Sequence, residues 1–275
     1  MFGPSILFCP ADRSDRYQKA LAAADSVIID LEDAVAPADK VAAREQLIAS
    51  SAAAGAYAGP GALDPARVIV RVNPVGTDDH DLDIAAVLST QYRTIMLAKA
   101  EAASQFDALG DAGLSVIALC ETVVGVERSP EIAAHPAVIG TMWGAEDLAA
   151  SLGGRSSRHD DGRYRDFARY ARSRVLFAAK AAGKMAIDSV YVNIPDLDGL
   201  RAEAADAAAS GFNATASIHP SQMVVIREAY APSAAERDWA ERVLDEATRQ
   251  PGVFRFEGKM VDEPVLRQAR TMLGR

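Results

Sequence analysis

Short runs of Ile, Val, Leu and Ala punctuate the chain, and most end on a charged or hydrogen-bonding residue. They are Ser5–Pro10, Ser26–Asp33, Arg67–Asn73, Thr94–Lys99, Ser115–Glu121, Ile139–Gly144, Ala186–Tyr191 and Ala214–Pro220. The segments between them have helical length, are mostly Ala-rich and are dotted with charge. Continuous rather than alternating apolar runs describe strands buried on both faces, the mark of a parallel sheet with helical crossovers. This series of repeated strand–helix units predicts an α/β protein, a closed (β/α)8 TIM barrel. Its functional face would lie at the C-terminal ends of the strands. That rule gathers Glu32, Arg71, Lys99, Glu121 and the Glu146–Asp147 pair at one mouth.

The remaining segments fill in this plan. Ser14 or Asp15 is expected to cap a helix containing Tyr17–Ala24. Ser50–Pro65, small and weakly patterned, reads as a surface loop. Asp147–Leu152 reads as a short helical turn, Gly153–Arg165 as a polar excursion able to shape a site, and Tyr164–Ala182 as a helix ending near Gly183. Residues 1–225 form the expected barrel and residues 226–275 a C-terminal helical extension. In that extension Ser221–Tyr230 (overlapping the boundary) and Ala234–Arg249 read as helices, Gly252–Gly258 as a short extended piece, and a last helix starts near Pro264. The extension is either a cap over the outer helices or an arm that carries residues to an active site.

A net charge of −9 over 275 residues argues against general binding to nucleic acid or to an anionic membrane. A local basic patch remains compatible with an anionic small substrate. Cys9 and Cys120 fall within strand runs, so buried free thiols in a reducing compartment are expected. No apolar run reaches the length of a membrane span and no secretory pattern opens the chain, which reads as cytoplasmic.

Consecutive barrel strands bring Glu121 and Asp147 close, and like charges held together need a cation or a shared proton. A hard divalent ion such as Mg²⁺ takes oxygen ligands and often only one or two carboxylates. The alternative is that Glu121 pairs with Lys99 while Asp147 caps a helix. Backbone amides of Ala145, Glu146 and Asp147 open a helical turn able to face a substrate carboxylate. Arg71, inside an apolar strand, needs a ligand oxygen or a buried partner such as Asp30 or Glu32. Glu32 could in turn orient Arg71 or metal-bound water. Arg13, Arg16 and Lys19 form a basic patch suited to a phosphorylated cofactor, or simply a solvated helix start. His80, His135 and His159 are expected to face solvent, and His219 to pack at the barrel rim. Paired metal-spaced histidines, a Gly-x-Ser-x-Gly elbow and a phosphate loop are all absent from the sequence.

Leu7-Phe-Cys-Pro with Arg16 and Lys19, Ile29-Asp-Leu-Glu-Asp33, Val70-Arg-Val-Asn73, Leu119-Cys-Glu-Thr122, Trp143-Gly-Ala-Glu-Asp-Leu148, Ile218-His-Pro-Ser-Gln222 and Gly258-Lys-Met-Val-Asp262 follow one another along the chain. In this order they resemble the citrate lyase beta-subunit-like proteins of the HpcH/HpaI aldolase superfamily, related to the malyl-CoA and citramalyl-CoA lyases. The resemblance implies a Mg²⁺-dependent lyase that joins or splits an acyl-CoA and a small 2-oxoacid. It implies Glu121 and Asp147 as metal ligands, Arg71 as a substrate-binding and catalytic residue, and Asp262 as an acid/base residue delivered by the C-terminal arm. In such lyases the arm usually enters a neighbouring subunit's site, so a homo-oligomer, most simply a trimer, is implied. Arg16 and Lys19 would meet CoA phosphates. Two other readings belong beside it. One is a malyl-CoA-type thioesterase. The other is an acyl-carrier-protein-dependent complex subunit that docks through Arg155, Arg158 and Arg163.

Overall fold

A computed structural model describes residues 2–52 and 63–274. Eight parallel strands close into a barrel in sequence order. They are β1 (Ser5–Pro10), β2 (Ser26–Asp30), β3 (Val68–Val72), β4 (Thr94–Leu97), β5 (Ser115–Cys120), β6 (Val138–Trp143), β7 (Met185–Asp188) and β8 (Ala214–Ser217). Closure is made where Ser5, Ile6 and Leu7 of β1 pair with Thr215, Ala216 and Ser217 of β8. Helices connect the strands, which is why the sequence reads apolar on both faces of the sheet.

Inside the barrel, Ile6, Ile28, Ile69, Met96, Ile117, Leu119, Met142 and Ile187 pack together as a filled core. Small residues on β8, Ala214 and Ala216, admit the larger side chains opposite. The interior is therefore solid below the mouth, and chemistry is confined to the rim.

Most strands are shorter than their apolar runs. The run to Asp33 stops as a strand at Asp30, the run to Lys99 at Leu97, and the run to Glu121 at Cys120. The polar residues that end those runs stand in the βα loops, where ladder geometry no longer fixes their direction. Residues 50–52 continue the helix Lys40–Ala52 rather than opening a loop, and residues 53–62 of the expected loop lie outside the described residues. The first helix, Ser14–Ala23, carries no side-chain cap, contrary to expectation. Its Ser14 amide donates instead to Gln46 Oε1 at 3.1 Å, from the next helix.

Of the histidines expected in solvent, one is buried and a second is half-buried. His80 is buried with Nδ1 2.8 Å from the Asn73 carbonyl, because its helix, Asp78–Leu88, packs back on the β3 loop. The side chain of His135 is largely covered, paired with Asp107 and set against the Phe106 ring. His159 is exposed.

The same β3 loop is anchored by a buried polar cluster. Asp83 Oδ2 accepts from the Asn73 backbone and side-chain N–H groups at 2.9 and 2.6 Å, and its Oδ1 accepts from Arg44 Nε at 2.7 Å. Lys40 Nζ donates to the Leu31 carbonyl, the Glu32 carbonyl and Asn73 Oδ1. Removing Asp83 leaves Arg44 and Asn73 under-satisfied in the interior. Asp83→Ala is expected to lower stability by about 3 kcal/mol, read from the urea midpoint at unchanged slope.

The chain divides into two compact units, Met1–Glu228 and Ala229–Arg275. The second contains the helix Ala234–Arg249, opened by a Ser233/Glu236 capping box, and the helix Glu263–Met272. Between these helices, β9 (Phe254–Phe256) and β10 (Lys259–Val261) form a hairpin that leads into the last helix. Glu257 and Gly258 both take positive φ, at 48° and 81°, as a two-residue turn that follows the strand twist requires. Ala240, Val243, Phe254, Val261, Leu266 and Ala269 give this unit its own core. Among the described residues, no helix is long and apolar enough to cross a membrane.

Candidate active site

At the C-terminal mouth, Arg71 is held by two acids. Its Nε and Nη2 donate to Asp30 Oδ1 and Oδ2 at 2.7 and 2.6 Å, and its Nη1 lies 3.0 Å from Glu32 Oε2. The pairing of Asp30 with Arg71 in the β2–β3 register makes this fork possible. Phe8 lies beneath the guanidinium, 5.0 Å from ring centre to Cζ. Burial opposes the arginine's charge, but Asp30 and then Glu32 more than offset it and raise its pKa further. Nη1 and Nη2 each carry a second N–H beyond the contacts with Glu32 and Asp30, and Arg71 lines the cavity where such a donor can meet an oxygen.

Glu32 is buried and shared. Its Oε1 meets the Lys99 ammonium, and its Oε2 meets Arg71 and accepts from the Asp33 N–H at 3.2 Å. Asp30, Glu32, Arg71 and Lys99 thus form a cluster whose formal charges cancel. Glu121 makes its hydrogen bond to Lys99 through the backbone, its Oε1 accepting from the Lys99 N–H at 3.1 Å, while the Lys99 charge acts on it from farther away. Burial first, and the negative charge of Asp147 second, push the Glu121 carboxyl up to about 8. Arg71 and Lys99 offset this only in part, and two acids brought together in this way fit a divalent cation, both offering the oxygen donors that Mg²⁺ prefers. Among the described residues, no group of three or more His, Cys, Asp or Glu is arranged around one metal position. Water and substrate oxygens would complete the shell, the usual situation for Mg²⁺.

Gly144 matters to this geometry. A Cβ there would stand 2.8 Å from Glu121 Oε2 and 2.9 Å from its Cβ. The turn that carries Gly144 is fixed from β7. Trp143 Nε1 donates to Asp188 Oδ1 at 2.6 Å, and the Ala145 amide donates to Ser189 Oγ at 3.3 Å. Gly144→Ala is expected to leave the protein folded while reducing turnover and Mn²⁺ affinity about tenfold, by displacing one carboxylate by a fraction of an ångström. Paired kinetics and isothermal titration would show both effects.

The helix beginning at Ala145 runs to Ser151, so Asp147 lies in its first turn. Glu146 is exposed and accepts from Ser157 Oγ at 2.6 Å, which ties the polar excursion to the mouth. Arg158 in that excursion is paired with Glu203 at 2.8 Å and stacks 3.7 Å over the Tyr164 ring, and Arg163 pairs with Asp161. A docking patch built from these arginines is therefore already partly neutralised.

A cavity of about 390 Å³ opens over the acids, lined by Arg71, Glu121, Asp147, Leu119, Met142 and Val190 among others. Phe8, Pro10 and Ile218 form part of its wall and also part of the wall of an adjoining cleft of about 640 Å³. That cleft carries Arg13, Arg16, Lys19 and His219. Arg13 pairs with Asp15, whereas Arg16 and Lys19 are exposed and have no ion-pair partner among the described residues. His219 is exposed on this cleft instead of packed at the rim, because β8 ends at Ser217 and the following loop turns outward. Asp262 belongs to the second unit, where it caps the helix Glu263–Met272 by accepting from Val265 N–H.

Lys40, Asn73, Asp83, Phe8 and Ser189 were not singled out from the sequence as parts of the site. Asn73 carried a faint signal as the polar end of a strand run. Lys40 carried none, since a lysine starting a charged helix looks solvated.

A parallel barrel with an acid pair and a carboxylate-locked arginine at its C-terminal mouth has the layout of a (β/α)8 enzyme. Residues 4–220 match the HpcH/HpaI aldolase/citrate lyase family, and the chain belongs to it. It is 52% identical to a citrate lyase subunit beta-like protein of Mycobacterium tuberculosis, over 99% of this chain and 95% of the relative. It is 34% identical to a (3S)-malyl-CoA thioesterase of Cereibacter sphaeroides, over 98% and 93% of the two chains. The crystal structure of CitE from M. tuberculosis in complex with magnesium, acetoacetate and coenzyme A superposes with a TM-score of 0.92. That match has 52% identity and covers 99% of this chain and 97% of the other.

Proposed function

We propose that this protein is a Mg²⁺-dependent lyase that cleaves or forms the carbon–carbon bond between an acyl-CoA and a small 2-oxoacid. The observation that carries the reading is the acid-lined cavity sharing a wall with a basic cleft. One chamber suits a cation and an oxoacid, and the other suits the phosphates of a CoA chain. The magnesium, acetoacetate and coenzyme A named for the M. tuberculosis relative support the same pairing.

Glu121 and Asp147 would hold Mg²⁺, which when bound supplies Lewis-acid polarisation of the substrate's hydroxyl and carboxylate oxygens. In cleavage the substrate hydroxyl gives its O–H proton to solvent water, its carbon becomes a carbonyl as the carbon–carbon bond breaks, and the bonding pair passes into the thioester as an enolate. Arg71, oriented by Asp30 and Glu32, donates to the enolate oxygen as charge develops there. Asp262, delivered by the arm of a neighbouring subunit, protonates the enolate carbon, and in the reverse direction removes that proton. Arg16 and Lys19 receive CoA phosphates. On this reading Asp262→Asn keeps its fold and cation affinity but loses about 10³-fold in turnover, with near-normal rates removing the arm from the chemistry.

The thioesterase named among the relatives gives the second reading, hydrolysis of the thioester with the hydroxy acid left intact. Purified protein with Mg²⁺ and malyl-CoA, citramalyl-CoA or citryl-CoA separates them. A lyase releases glyoxylate, pyruvate or oxaloacetate with matching acyl-CoA. A thioesterase releases free thiol and no oxoacid.

A further inference from the structure

Lys99 touches both halves of the mouth in different ways. Its ammonium meets Glu32 Oε1 and lies 3.4 Å from Asp33 Oδ2, while its peptide N–H donates to Glu121 Oε1 at 3.1 Å. Serving both requires an unusual backbone: Lys99 has φ 50°, one of two residues other than glycine with positive φ among the described residues. A lysine in this left-handed region is disfavoured by contact of its Cβ with the backbone, so the conformation is imposed by the surroundings. With the ammonium committed to Glu32, the charges of Asp30, Glu32, Arg71 and Lys99 cancel. The Glu121–Asp147 acid pair, which lines the same cavity, stands outside that cluster.

We infer that Lys99 is a positioning residue that partitions the charge of the mouth. Its ammonium closes the Asp30–Glu32–Arg71 cluster and keeps Glu32 oriented toward Arg71. Its peptide N–H fixes one oxygen of Glu121, while its ammonium is ion-paired to Glu32 and Asp33 and leaves the carboxylates of the acid pair to a divalent cation. This rests on the assignment of Glu121 and Asp147 as the cation-holding pair. It yields a result that a merely structural lysine would not. Without the ammonium, Glu32 adds uncompensated negative charge beside the cation position, so the cation binds more tightly even as Arg71 loses its alignment and turnover falls.

The test measures Mn²⁺ binding by electron paramagnetic resonance, and turnover on the substrate panel, for the whole protein and its Lys99→Met, Lys99→Gly and Lys99→Arg variants. Lys99→Gly relaxes the left-handed backbone and keeps the N–H, so it covers the case in which Lys99→Met does not fold. The expected result is Mn²⁺ affinity about threefold or more above wild type in the Met and Gly variants. Their kcat should fall about 10- to 100-fold. Lys99→Arg should restore both properties most of the way. Unchanged or weaker Mn²⁺ binding in the neutral variants, unchanged kcat, or no recovery with arginine overturns the inference. If the wild type binds no Mn²⁺, or binds it independently of Glu121 and Asp147, the cation assignment itself fails first.

Discussion

Replacing Glu121 by glutamine is expected to abolish measurable Mg²⁺-dependent turnover, a loss of about 10³-fold or more, while the fold survives. The position is buried, and its side chain sits between the Lys99 N–H and the space left by Gly144. Glutamine fits that volume and can still accept the Lys99 hydrogen bond, so packing is preserved. The substitution removes one of two anionic donors and the repulsion from Asp147, the feature that makes the pair receptive to a divalent cation. Lost stabilisation of developing oxyanion charge is worth about 10²–10³ in rate for a single donor, and loss of the cation affects several oxygens at once. The check is steady-state kinetics beside Mn²⁺ titration. Near-normal kcat at saturating Mg²⁺ would remove Glu121 from the cation site.

Arg71→Met is expected to be severe in a different way, because it damages stability and rate together. Asp30 and Glu32 are buried and directed at the guanidinium. Removing the shared cation leaves the Asp30 carboxylate with only the Glu32 N–H, at 2.9 Å, among the described residues, and leaves Glu32 to Lys99 and the Asp33 N–H. Breaking one side of a buried ion pair costs about 3–5 kcal/mol. Turnover should fall about 10³-fold with the loss of the enolate-oxygen donor. Arg71→Lys separates the two effects. A single ammonium restores charge and part of the urea midpoint, but it cannot span both Asp30 oxygens while presenting a second N–H to substrate. Recovery of full turnover by lysine would mean that charge alone, without the planar fork, suffices.

The barrel was legible in the sequence because strands buried on both faces must be apolar along their whole length. Polar residues that interrupt such runs then stand out. Glu32, Arg71, Lys99 and Glu121 were visible for that reason. What the runs could not give was direction. Lys99 sits two residues beyond β4, in a backbone conformation that no periodicity predicts, and it meets Glu121 through its N–H rather than its ammonium. Arg71 was open between ligand and ion pair. The structure shows it paired with both acids and lining the cavity, and contact with a ligand oxygen is part of the proposed function. His80 and Lys40 were misjudged or missed because burial of a helix residue depends on which loop packs across it. That is a tertiary fact with no local signature. The role of Asp262 rests on resemblance, since no local pattern in the second unit distinguishes a helix-capping aspartate from a proton donor.

Cleavage in deuterium oxide tests the central claim most directly. Purified protein would be given Mg²⁺ and malyl-CoA, and the acyl-CoA product examined by mass spectrometry. Carbon–carbon scission through a thioester enolate predicts glyoxylate and acetyl-CoA carrying one solvent deuteron on its methyl carbon, with turnover stopped by EDTA and restored by Mg²⁺. Malate and free CoA with no deuterium on carbon, or acetyl-CoA formed equally well in EDTA, would contradict the account.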